Sequence, residues 1–211
     1  MKEIYKILIM LVCVAALTGC GRQEERVNII EIEETVVKVS EMNTFEHSNT
    51  MESENSQEEI LLERGYEVIM VRTEHDVNIS NRERAQVANE AGADVFIRIH
   101  ANGAEDSGVH GAMTLCQTAG NPYNGELYEE SRRLSDCVLD AFVEKTGAKK
   151  QRVWETDTMS GINWAAVPTT IVEMGYMTNP EEDKRMATEE YQRLMAEGMA
   201  DGIDRYVGED N

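Results

Sequence analysis

From about Glu58 onward the spacing of apolar residues switches repeatedly between helical and strand periods. Ile60-Leu61-Leu62-Glu63-Arg64 reads as the last turns of a helix that Gly65 stops. Tyr66 to Val71 predicts a strand. Ser80-Asn81-Arg82-Glu83 has the form of a capping box, opening a helix to about Ala91 with Gly92 as terminator. Asp94 to His100 and Gly111 to Thr118 predict two further strands. Asn124 to Thr146 is a long amphipathic helix ended by Gly147, Thr169 to Glu173 is a short apolar strand, and Thr188 caps a last helix to about Tyr206. Strands alternating with helices imply an α/β fold: an open, largely parallel twisted sheet with helices on both faces. No internal repeat interrupts this order.

The chain before Glu58 is a different material. Lys2 and Lys6 precede an unbroken apolar run from Ile7 to Leu17, too short to span a bilayer and of the length of a signal-peptide core. It ends in Leu17-Thr18-Gly19-Cys20, which resembles the bacterial lipoprotein processing box. That resemblance implies cleavage before Cys20 and lipidation of it; the plainer reading is an ordinary signal peptide with an incidental cysteine. Val27 to Val39 has the β-branched content of a strand, whereas Glu41 to Glu59 is nearly devoid of apolar residues and reads as tether. The expected organisation is therefore a leader over residues 1–19, an acidic tether over 20–57, a catalytic domain over 58–207 and a tail over 208–211.

Charge narrows the partners. With a net charge of -20, the chain lacks the clustered Lys and Arg that nucleic acid or anionic lipid would require. The plain meaning of such a surface is solubility. Of four cysteines, Cys13 leaves with the leader and Cys20 would carry lipid. Cys116 and Cys137 remain, either as a disulfide that export permits or as small apolar residues. No Cys-x-x-Cys pair is present, which removes thiolate zinc sites and redox motifs.

Two strands carry candidate chemistry. In Val95 to Asn102, alternation puts Val95, Ile97 and Ile99 on one face and Phe96, Arg98 and His100 on the other. Ligands of open α/β sheets bind beyond the carboxyl ends of strands, where His100 falls. Imidazole is a good zinc ligand, although a lone histidine is more often structural. Glu173 ends the run Pro168 to Val172, and a carboxylate there must be paired or used. A salt bridge would pair it; a proton-transfer role beside a metal-bound water would use it.

These residues carry a family resemblance. Gly65-Tyr66-Glu67-Val68 with Thr73, Arg82 with Ala85 and Ala88-Asn89, Ala93 to Asn102, and Ile171 to Asn179 resemble the zinc-dependent N-acetylmuramoyl-L-alanine amidases of type 3, over roughly residues 58–207. The resemblance implies that His100 binds Zn2+, that Glu173 is the catalytic carboxylate, and that Asn102 helps shape the site. The implied substrate is the peptidoglycan amide between the lactyl group of N-acetylmuramic acid and the first L-alanine of the stem peptide. The implied setting is the outer face of a bacterial membrane, reached by export and held by a lipid anchor.

The chain also departs from the family. The family opens with a strand ending in an Asp-Pro-Gly-His-Gly-like loop, source of the first zinc histidine, and a later glutamate adds another ligand; neither motif is present here. The first strand is thus expected to be missing or altered. His47, flanked by Glu46 and Glu52, is the one histidine of that segment and the candidate replacement ligand, while His75 and His110 fall in variable loops and are expected to be exposed. Trp154 and Trp164 flank a segment that the resemblance puts near the site, where an aromatic could stack on sugar or peptide; each taken alone reads more readily as core or surface packing. Beside the amidase stand two alternatives: a non-catalytic protein that binds peptidoglycan or a partner enzyme, and a zinc carboxypeptidase acting on stem peptides.

Overall fold

The computed structural model describes residues 30–38, 57–71 and 78–208. The elements follow in the order β1 (Ile30–Lys38), α1 (Gln57–Glu63), β2 (Glu67–Met70), α2 (Asn81–Ala91), β3 (Val95–Asn102) and β4 (Ala112–Cys116). After a 3-10 turn (Gly125–Leu127) come α3 (Tyr128–Thr146), β5 (Lys150–Glu155), α4 (Ser160–Asn163), β6 (Thr169–Tyr176), α5 (Pro180–Met186) and α6 (Glu189–Gly208). The punctuation read in the sequence is present as geometry. Ser80 accepts from the Glu83 N–H while Glu83 reaches back to the Ser80 N–H, and Gly65, Gly92 and Gly147 end their helices with positive φ.

The six strands form one sheet in the order β2-β1-β3-β6-β4-β5. The expectation of a largely parallel sheet is corrected to a mixed one. β3 pairs with β6 and β4 with β5 in parallel, but β1 is antiparallel to β2 and β3, and β4 is antiparallel to β6. One cause is connection length: residues 103–111 hold no helix, so β4 returns antiparallel to β3 instead of crossing over. The altered first strand takes concrete form in β1, built from the β-branched run and lying between β2 and β3, with Glu31 at the register position of His100.

Both faces carry helices, as expected. On one face Val95, Ile97, Ile99, Val172 and Met174 pack with Leu134, Val138 and Phe142 of α3 and with Met199 and Ile203 of α6. The other is covered in two parts. Phe96 packs with Ala85 and Ala88 of α2, and Ile171, Met113 and Leu115 pack with Ile162 of α4. The site residues lie on this second face.

Candidate active site

Register builds the centre of the site. His100 of β3 is the parallel partner of Glu173 of β6, and Met113 of β4 is the antiparallel partner of Glu173 on its other side. β3 and β6 run past the expected strand ends, to Asn102 and Tyr176, so neither His100 nor Glu173 is terminal. Both are buried, at 2% and 1% exposure. Neither carboxyl oxygen of Glu173 has a hydrogen-bond partner among the described residues. Burial pushes its pKa up to about 8, with the Arg98 guanidinium pulling the other way. Among the described residues no ion pair neutralises Glu173, the expected alternative.

Arg98, two residues before His100 on the same face, is the charged group that sequence reasoning put in place without assigning it a task. Its Nη2 donates to Asn81 Oδ1 at 2.9 Å, and Asn81 Nδ2 donates to Ser160 Oγ at 3.0 Å. The first residues of α2 and α4 are thereby tied to β3. Gly161 is required by this contact, since a Cβ there would stand 1.6 Å from Arg98 Nη1. A charged residue inside a buried strand was the available signal; its partners come from elements far away in sequence.

Asn102 is buried at the end of β3. Its Oδ1 accepts the Gly103 N–H at 2.8 Å and its carbonyl accepts the Met177 N–H at 2.8 Å, while Nδ2 has no partner among the described residues. Glu182, missed by sequence reasoning, is a buried carboxylate that accepts the Gly111 N–H at 3.0 Å and the Tyr176 N–H at 2.8 Å, fixing the loop before β4 against the end of β6. Asn179 caps α5 by accepting from the Glu181 and Glu182 N–H groups. His110 is exposed, as expected. Cys116 is buried and Cys137 partly so, and no disulfide joins the two. Burial raises the Cys116 thiol to about 11. Cys20, His47 and His75 lie outside the described residues.

Whether these groups fit zinc follows from the donor set. A catalytic zinc typically takes three protein ligands. Among the described residues no group of three His, Cys, Asp or Glu side chains comes together. His100 and Glu173 are one imidazole and one carboxylate, and by themselves they do not complete the site.

A family model described as N-acetylmuramoyl-L-alanine amidase matches residues 36–205. The chain belongs to that family. The chain is similar to the uncharacterised protein YqiI of Bacillus subtilis (strain 168), 30% identical over 69% of this chain and 66% of YqiI. The N-acetylmuramoyl-L-alanine amidase AmiC of Neisseria meningitidis serogroup B is 28% identical over 68% of this chain and 42% of AmiC. The chain thus spans between about two fifths and two thirds of the length of these curated relatives. Among solved structures, the catalytic domain of the amidase CwlV from Bacillus (Paenibacillus) polymyxa var. colistinus superposes with a TM-score of 0.63 at 27% identity, over 72% of this chain and 79% of that one. The α/β architecture is therefore the amidase fold, and the second sheet face, with His100 and Glu173 at its centre, is its candidate active site.

Proposed function

We propose that this protein is an N-acetylmuramoyl-L-alanine amidase of the bacterial cell wall, hydrolysing the amide between N-acetylmuramic acid and the first L-alanine of the stem peptide. The carrying observation is Glu173: a buried carboxyl with no hydrogen-bond partner among the described residues, beside His100, in a chain of the amidase family. Amide hydrolysis needs a group that takes a proton from water and returns one to the departing nitrogen. A carboxyl whose pKa lies at about 8 exchanges its proton near neutrality, which suits that exchange. Arg98 keeps the carboxylate form accessible by placing positive charge close to it.

The resemblance assigns carbonyl polarisation to zinc. Here the described residues offer zinc His100, and His47 is the candidate for a further ligand. Residues 1–19 act in this proposal as an export leader and Cys20 as the lipidated anchor. The expected tether over 20–57 is cut back to the stretches outside β1, because β1 belongs to the sheet of the catalytic domain that stands off the outer face of the membrane. No described helix is long and apolar enough to cross a membrane. Asn102 shapes the end of the site through its Nδ2, which has no partner among the described residues.

Digestion of purified peptidoglycan followed by mass analysis tests the proposal. Free stem peptides beginning with L-alanine are expected, and Glu173→Gln is expected to abolish their release without changing zinc content. Undiminished release by that variant refutes the role of Glu173. Products shortened only at the peptide carboxyl end indicate a carboxypeptidase instead. Zinc well below about half an equivalent in the purified full chain removes the metal from the proposal.

A further inference from the structure

Three large hydrophobic side chains are exposed among the described residues, and two are aromatic: Tyr123 and Trp164. Trp164 keeps 45% of its surface in water, although burying an indole is worth about 2 kcal/mol or more. Its backbone is fixed from two sides. Asn89 grips it from α2, with Nδ2 donating to the Trp164 carbonyl at 2.9 Å and Oδ1 accepting the Ala166 N–H at 2.7 Å. The buried Asn124 grips the other side, donating to the Ile162 carbonyl at 2.8 Å and the Ala165 carbonyl at 3.0 Å. Tyr123 is carried on the same frame: its N–H donates to Asn121 Oδ1, and Asn121 Nδ2 donates to Asn163 Oδ1, each at 2.8 Å. The guanidinium of Arg82 lies 4.6 Å from the centroid of the Trp164 ring.

The elements that carry Trp164 and Arg82 are tied to the strands of the chemistry. Arg82 follows Asn81 in α2, and Trp164 follows α4, the two elements that Asn81 and Ser160 tie to Arg98. Ile162 of α4 packs on Ile171 and Met113, which flank Glu173 along and across the sheet. Rigid presentation of an indole with a guanidinium stacked on it suits a ligand with an apolar C–H face and polar oxygens at its edge. A pyranose ring has both. A free stem peptide ends in a carboxylate, which a chain of net charge -20 repels; a neutral sugar meets no such penalty.

We infer that Trp164 and Arg82 form a saccharide subsite beside Glu173, in which the indole stacks on an N-acetylated sugar of the glycan strand and the Arg82 N–H groups donate to its acetamido or hydroxyl oxygens. The inference rests on the amidase reading for the identity of its ligand, and its test does not depend on turnover. Trp154→Phe leaves Trp164 as the single tryptophan of the full chain. Titration of that protein with the soluble tetramer of β-1,4-linked N-acetylglucosamine is expected to change Trp164 emission saturably, and equally so with Glu173→Gln added. By calorimetry, Trp164→Ala and Arg82→Ala should each weaken saccharide binding about tenfold, with unchanged thermal unfolding. Unaltered affinity in Trp164→Ala overturns the subsite. So does absence of saturable saccharide binding, or tighter binding of a free L-alanyl stem peptide than of the saccharide. Loss of hydrolysis with saccharide binding intact would count against the amidase reading alone; hydrolysis without saccharide binding counts against the subsite alone.

Discussion

Glu173 is an expensive residue to keep where it is. A carboxylate at the centre of a sheet, with no hydrogen-bond partner among the described residues, is tolerated because it holds its proton. Its pKa rises from the ordinary 4.5 to about 8 on burial. The sign follows by linkage: the group takes up a proton on folding, so its own contribution to stability is most favourable below about pH 4.5 and declines as pH rises toward 8. In chelator-treated protein, Glu173→Gln should raise Tm relative to wild type, most at pH values above 8 and least near 4.5. Equal melting across that window would show that the carboxyl is not desolvated. Arg98 gives a second test. Gly161→Ala brings a methyl to 1.6 Å from Arg98 Nη1, so the guanidinium must move. The expected loss is about 1–3 kcal/mol in denaturant unfolding, with activity falling further than stability alone would explain. His100 and Glu173 were legible because alternation and strand position single out buried polar residues. Asn81, Ser160 and Gly161 were not, because each matters only through Arg98, which reaches them across the fold.

Elements were legible in proportion to their punctuation. α2 announced itself through its capping box and Gly92, and α3 through Gly147. β5 was missed for a physical reason: Lys150-Gln151-Arg152-Val153-Trp154-Glu155 is an edge strand rich in charge, and an edge uses charge to deter further pairing. α4, four residues long, has no side-chain cap at its N-terminus to advertise it. The packing of α3 against α6 depends on small residues that periodicity does not single out. A Cβ on Gly202 would lie 2.5 Å from Val138 Cα, and one on Gly198 would lie 2.9 Å from Phe142 Cα. Gly202→Ala should therefore force the two helices apart and lower stability by about 2 kcal/mol or more in urea titration. A change within about 0.5 kcal/mol would mean that the helices can slide at no cost.

At the scale of the molecule, β1 decides whether the sheet is one piece. It is the neighbour of both β2 and β3, so removing it leaves β3 with an open edge and β2 without a partner. A chain starting at Gln57 is expected to lose cooperative unfolding and to self-associate, read by circular dichroism melts and light scattering. A sharp transition in a monomer would show that β1 is dispensable and that the acidic stretch is tether throughout. The sequence by itself determined the α/β class, the order and punctuation of most elements, the two buried polar residues and their family, because periodicity, caps and motif order are local properties of the chain. The tertiary structure alone decided the mixed sheet, since strand direction depends on which strands become neighbours. It also decided which side chains meet. The register of β3 with β6 brings His100 beside Glu173, Arg98 draws α2 and α4 onto them, and two asparagines hold Trp164 out in water beside Arg82.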